Sequence, residues 1–199
     1  MGNENVLFCI CGETASGKDS MVHALIEKYP DQLKCVVSHT NRPIREGEQD
    51  GIEHYFHTDE EFHNIMNDKK DDIVAYTKIS KKNSKNGYEY FALKEDLEKA
   101  NIYIIDPEGI KYLKRRKDLD MKLIVIYIYS SLYTRAKRAK ANRSDYNSEF
   151  NRRVQAEKTQ FNDFRENKAY DYIIENEYDF ESAFNKLALI VHDELKKNK

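Results

Sequence analysis

Gly12-Glu13-Thr14-Ala15-Ser16-Gly17-Lys18 sets two glycines five positions apart, with a lysine directly after the second. An apolar run, Val6-Leu7-Phe8-Cys9-Ile10, precedes it, and an amphipathic segment opens near Lys18. Between a strand and a helix, such a loop turns backbone N–H groups toward a polyphosphate at the positive end of the helix. The lysine ammonium adds a point charge near the outer phosphates. The expected nucleotide-binding set is therefore Gly12, Glu13, Thr14, Ala15, Ser16, Gly17, Lys18, Asp19 and Ser20. The hydroxyl residue that usually follows the lysine is here Asp19, and Ser20 comes one place later. Asp19 reads two ways. It is an oxygen ligand for Mg²⁺, direct or through water, or a carboxylate favoured by the helix dipole while Ser20 serves the nucleotide.

A second group follows the expected second strand. Ser38, Arg42 and Arg45 surround a turn fixed by Pro43 and Gly47, and two guanidinium groups three residues apart can converge on one phosphate. Asp106 ends the apolar strand Ile102–Ile105, at the sheet edge beside the phosphate loop. There it serves a metal's water shell, hydrogen-bonds a substrate, or turns the chain before Pro107. His54 and His57 have the odd spacing that points strand residues to opposite faces, which argues against a joint metal site. Cys9, Cys11 and Cys35 cannot all pair, and they read as small core hydrophobes.

The elements that must position these groups follow from periodicity. Val6–Ile10, a helix over Lys18–Tyr29 stopped by Pro30, and a strand at Leu33–Val37 make a βαβ start, hence an α/β fold with a central parallel sheet. The middle departs from that rhythm. A short strand at His54–His57, a helix opened by the capping-box pattern Thr58-Asp59-Glu60-Glu61, and strands at Ile73–Ile79 and Tyr88–Ala92 around a loop at Lys81–Gly87 suggest a small antiparallel unit. Then come Ile102–Ile105, a helix over Gly109–Arg116, and Leu123–Tyr129 as the longest strand. Helices over Leu132–Lys140 and Glu149–Phe164, a last strand at Tyr172–Ile174 and an amphipathic helix from Phe180 complete the chain.

Composition narrows the partners. The chain has 199 residues, enough for one substantial core, and a net charge of −2 that disfavours a general nucleic-acid or membrane-surface binder. No apolar stretch approaches the ~20 residues of a membrane span. The N-terminus lacks the basic and apolar regions of a signal peptide, so a cytoplasmic location is expected. The basic run Arg135–Arg153 suits a cleft for an anionic ligand.

Ser38-His39-Thr40-Asn41-Arg42-Pro43-Ile44-Arg45-Glu46-Gly47-Glu48-Gln49-Asp50-Gly51, with Phe56 and Glu61-Phe62 downstream, resembles the GMP-binding segment of guanylate kinases. Tyr90 in Asn86–Tyr90, Asp106 in Ile105–Gly109, and Asp171-Tyr172-Ile173-Ile174-Glu175-Asn176 resemble later motifs of that family in the same order. The resemblance implies a three-layer P-loop core over 1–37, 94–139 and 154–199. It also implies a β-rich nucleoside-monophosphate-binding insertion over 38–93 and a helical lid over 140–153. It implies transfer of the ATP γ-phosphoryl group to GMP or dGMP with Mg²⁺ at Asp19 and Ser20, by a monomer or homodimer. Lys18, Arg42, Arg143 and Arg153 would be catalytic; Ser38, Arg42, Arg45, His54, Tyr90 and Asp106 would bind the acceptor. There are departures. His54 stands at a family tyrosine, Ala75 at the guanine-reading glutamate, and Phe91-Ala92 at a glycine and a small hydroxyl residue. Asp71 or Asp72 takes the glutamate's part if the loop is registered differently. These departures keep open a related kinase with another acceptor, including ribose 1,5-bisphosphate, and a non-catalytic guanylate-kinase-like binding module.

Overall fold

The computed structural model describes residues 5–45, 47–81, 84–142 and 150–197. Strand β1 (Asn5–Cys11) leads through the glycine loop into helix α1 (Lys18–Lys28). The middle contains β2 (Ser38–Thr40), β3 (His54–Phe56), α2 (Asp59–Asp68), β4 (Ile73–Lys81) and β5 (Ser84–Leu93). Next are α3 (Lys94–Glu98), β6 (Ile102–Ile104), α4 (Pro107–Arg115) and β7 (Met121–Tyr129). Helices α5 (Leu132–Asn142) and α6 (Asn151–Glu166), strand β8 (Tyr172–Glu175) and helix α7 (Phe180–Lys197) end the chain.

The central sheet runs β6-β1-β7-β8 with every pairing parallel. Its middle strands are buried on both faces, which is why β1 reads as an unbroken apolar run rather than an alternating one. Leu7, Cys9 and Cys11 pack with Ile110, Leu113, Phe161 and Phe164 of α4 and α6. Phe8 and Ile10 pack on the other side with Met21, Leu25, Leu187 and Val191 of α1 and α7. The result is the three-layer α/β architecture that the strand–helix rhythm implies. Among the described residues, no helix is long and apolar enough to cross a membrane.

The second sheet, β3-β2-β5-β4, is built wholly from residues between Ser38 and Leu93. It is mixed rather than antiparallel, because β2 and β3 run parallel. Its alanines join the main core: Ala75 faces Ala92 across β4 and β5, and both belong to the apolar cluster that holds Cys11, Tyr103 and Ile105.

Several elements differ from the sequence reading. Leu33–Val37 forms only an isolated parallel bridge, Cys35 to Ile102, because the partner strand β6 spans three residues and offers one short edge. β5, at ten residues, is longer than β7, at nine, since the β4–β5 hairpin continues to Lys81 and Ser84 rather than opening at Ile79. α4 starts at Pro107 instead of Gly109: Asp106 caps it by accepting the Gly109 N–H at 2.7 Å, and proline suits the first helical position. Asp71 and Asp72 lie exposed on a 3-10 turn, Lys70–Asp72, whereas Ala75 is buried.

Candidate active site

The glycine loop has the geometry that a phosphate-binding turn requires. Gly17 caps α1 at φ 91°, a left-handed conformation that favours glycine. A Cβ at Gly12 would lie 2.6 Å from the Ile128 carbonyl, so only glycine lets the loop rest against β7. The loop's outer side is clasped by distant residues. Asn176 Nδ2 donates to the Ser16 carbonyl at 2.8 Å, and Arg138 Nη1 donates to the same carbonyl at 3.1 Å. Among the described residues, the buried hydroxyls of Thr14 and Ser16 have no hydrogen-bond partner. Buried orphan hydroxyls are rare in folded proteins, and in a glycine loop they suit a ligand's acceptors.

Three carboxylates meet this loop. Glu13 is buried and accepts from Tyr127 Oη at 2.7 Å and Arg165 Nη1 at 2.6 Å, with Arg135 Nη2 at 3.7 Å. Burial, then the Glu13 contacts, push the Tyr127 phenol well up. Glu157 of α6 accepts the Thr14 backbone N–H at 2.8 Å. Asp19 pairs with Lys18 Nζ at 3.0 Å at the loop's exposed rim. Ser20 is exposed one position further along α1.

The arginine pair sits at the start of the second sheet. Arg42 is buried and sends Nη1 and Nη2 to the two oxygens of Glu48 at 2.8 and 2.9 Å, and Nε to Tyr90 Oη at 3.2 Å. Glu48 also accepts the Arg45 N–H at 2.8 Å. Burial opposes the Arg42 charge, but Glu48 and Tyr90 hold its guanidinium above the ordinary value. For Arg45 the balance is reversed: burial, Arg153 and Arg42 press its guanidinium down, against the pull of Tyr90 and Glu48. Ser38 Oγ shares a hydrogen bond with His54 Nδ1 at 2.9 Å, while His57 turns away and bonds His39 at 2.8 Å. Asp106 accepts the Thr77 hydroxyl at 2.8 Å; burial raises its carboxyl, against the hydrogen bonds from Gly109 and Thr77.

The structure therefore brings Lys18, Asp19 and the loop to one place, and Arg42, Arg45, Tyr90, Ser38 and His54 to another. Arg153 stands on α6, one turn before Glu157, and its charge bears on Arg45. Arg143 lies outside the described residues. Glu48, Thr77, Arg135, Arg138, Glu157 and Arg165 are given no role of their own in the sequence reading. Glu48 stands there only inside the Ser38–Gly51 segment, and Arg135 and Arg138 in the basic run.

The guanylate kinase family model matches residues 5–194. A guanylate kinase of Vibrio parahaemolyticus is 26% identical over 194 residues, covering 96% of this chain and 89% of the relative. One of Buchnera aphidicola subsp. Schizaphis graminum is 28% identical over 198 residues, with 95% and 88% covered. The crystal structure of guanylate kinase from Anaplasma phagocytophilum shares the fold, with a TM-score of 0.70 and 20% identity over 98% of this chain and 88% of that one.

Proposed function

Because the chain belongs to the guanylate kinase family, we propose that it transfers the γ-phosphoryl group of ATP to GMP or dGMP, giving ADP and GDP or dGDP. The observation that carries this reading is a glycine loop whose buried Thr14 and Ser16 hydroxyls have no partner among the described residues, together with an Arg42 guanidinium of the second sheet oriented by Glu48 and Tyr90. Donor and acceptor phosphates bound at those two places would each meet a fixed cation, Lys18 at the first and Arg42 at the second.

Phosphoryl transfer needs positioning and charge neutralisation more than covalent help. Lys18 and the loop amides hold the donor's outer phosphates. Arg42, oriented by Glu48 and Tyr90, presents its guanidinium to the acceptor phosphate together with Arg45. Ser38, with His54 behind it, and Asp106, with Thr77 beside it, stand where the acceptor's base would lie. Residues 38–93 act as the acceptor-binding insertion, residues 140–153 as the lid, and the rest as the core. Arg143 and Arg153 of the lid region complete the cation set.

Mg²⁺ fits the donor side. Asp19 offers an exposed carboxylate beside the loop lysine, and Ser20 a hydroxyl one residue on. Among the described residues, no group of three or more His, Cys, Asp or Glu is placed to hold a metal. Mg²⁺ draws most of its ligands from phosphates and water, so one carboxylate beside the nucleotide is a sufficient protein share. When bound, the ion supplies charge neutralisation across the donor's outer phosphates. The reading includes a cytoplasmic enzyme, monomeric or homodimeric.

The test is an ADP-release assay across GMP, dGMP, AMP, CMP, UMP and ribose 1,5-bisphosphate. GMP or dGMP should give the highest kcat/KM, and Lys18→Ala should abolish turnover. No activity above background with either guanine nucleotide would overturn the reading.

A further inference from the structure

We propose that Glu157 is a positioning residue that fills the phosphate loop of the nucleotide-free protein and must be displaced by the donor's phosphates. The inference rests on the loop's reading as the donor site. Thr14 lies in the middle of the glycine loop, and its backbone N–H, which a bound phosphate would use, donates to Glu157 Oε2 at 2.8 Å. The charges that act on that carboxylate are ones a polyphosphate would seek: Lys18 of the loop, Arg135 of α5 and Arg153 of α6. The carboxylate is largely withdrawn from water, and this raises its protonation tendency against the pull of Thr14 and the three cations. A carboxylate so placed mimics a phosphate oxygen in charge and in hydrogen bonding.

Two consequences follow from the contact. Donor binding exchanges Glu157 for phosphate, so observed affinity is the intrinsic affinity reduced by the strength of the internal contact. The exchange also frees α6 from Thr14, while the pair between Arg165, farther along α6, and Glu13 keeps the helix tethered to the loop. Glu157 thereby links occupancy of the loop to the position of the helix that carries Arg153. The same residue would also speed ADP departure, because it returns to the vacated amide.

The test measures dissociation constants for ATP·Mg²⁺, tripolyphosphate and GMP by calorimetry on the full chain. Glu157→Gln keeps the shape and loses the charge, and Glu157→Ala removes the side chain. Both should bind ATP·Mg²⁺ and tripolyphosphate about ten- to a hundredfold tighter than the wild type, the range set by a lost charged hydrogen bond. GMP affinity should be unchanged, which a general loosening of the fold would not give. Unchanged or weakened ATP·Mg²⁺ affinity in a variant that melts like the wild type overturns the proposal. If one variant fails to fold, the other decides. If both fail, the carbon-13 shift of the Glu157 carboxyl in the wild type decides: saturating ATP·Mg²⁺ should move it, and a stationary signal is contrary. Lys18→Ala separates this idea from the functional reading. If it leaves ATP affinity intact, the loop is not the donor site. If it abolishes affinity while the Glu157 variants match wild type, only the displacement idea fails.

Discussion

His54 is a base held in a place that rejects its charge. Burial first, and then the charge of Arg42, lower its imidazole from 6.5 to about 4. Between those values the unfolded chain takes up a proton that the folded chain refuses. Stability is therefore fully present above about pH 6.5 and falls as pH drops toward 4, by up to about 1.4 kcal/mol per unit. Below 4 the folded protein protonates too and this loss levels off. Urea unfolding of the wild type and of His54→Gln, compared over pH 4–7, should show the difference narrowing as the medium acidifies. A pH-independent difference would mean that His54 titrates normally. The neutral ring adds no positive charge beside Arg42.

Among the elements, α2 shows how a short segment is fixed from both ends of its first turn. Thr58 Oγ1 accepts the Glu61 N–H at 3.2 Å, and Glu61 accepts the Thr58 N–H at 2.9 Å. One turn on, Phe62 is fully buried against Phe91 of β5, with ring centroids 4.8 Å apart. Thr58→Ala should cost about 1 kcal/mol in urea unfolding, and Thr58→Ser should recover most of it. Equal loss in both variants would show that the methyl group, not the hydroxyl, matters there. This box was legible in the sequence, as was the glycine loop, because each lies within a few residues of chain. The strand expected at Leu33–Val37 was not, because its extent depends on how much of β6 is there to pair with. Glu157 and Arg165 were hidden for a related reason: their partners Thr14 and Glu13 lie 143 and 152 residues away. Local pattern locates the loop but cannot say what presses against it.

For the whole molecule, the question is whether two sheets make two folding units. The apolar cluster beside β1 continues without a break into Val74, Ala75 and Ala92 of the second sheet, and Arg116 beyond α4 donates to the Ile73 carbonyl. A shared core predicts a single cooperative transition. The chain has no tryptophan, so Tyr55→Trp on the partly exposed β3 would report the second sheet alone. Its fluorescence midpoint in urea should coincide with the far-ultraviolet circular dichroism midpoint. An earlier fluorescence midpoint would mean that the second sheet melts independently. The apolar Ala75–Ala92 contact contributes to this unity, and it occupies the position where the family resemblance anticipates polar readers of the base.

The clasp on the glycine loop has a consequence for how the protein is made. Ser16 receives one of its hydrogen bonds from Asn176, 160 residues later in the chain. Strand β1 takes its neighbours from β6 and β7, which begin at Ile102 and Met121. The loop is thus completed by a segment made 160 residues after it. A nascent chain would carry its loop without this clasp until Asn176 had been made, and a nucleotide could not bind it productively before then.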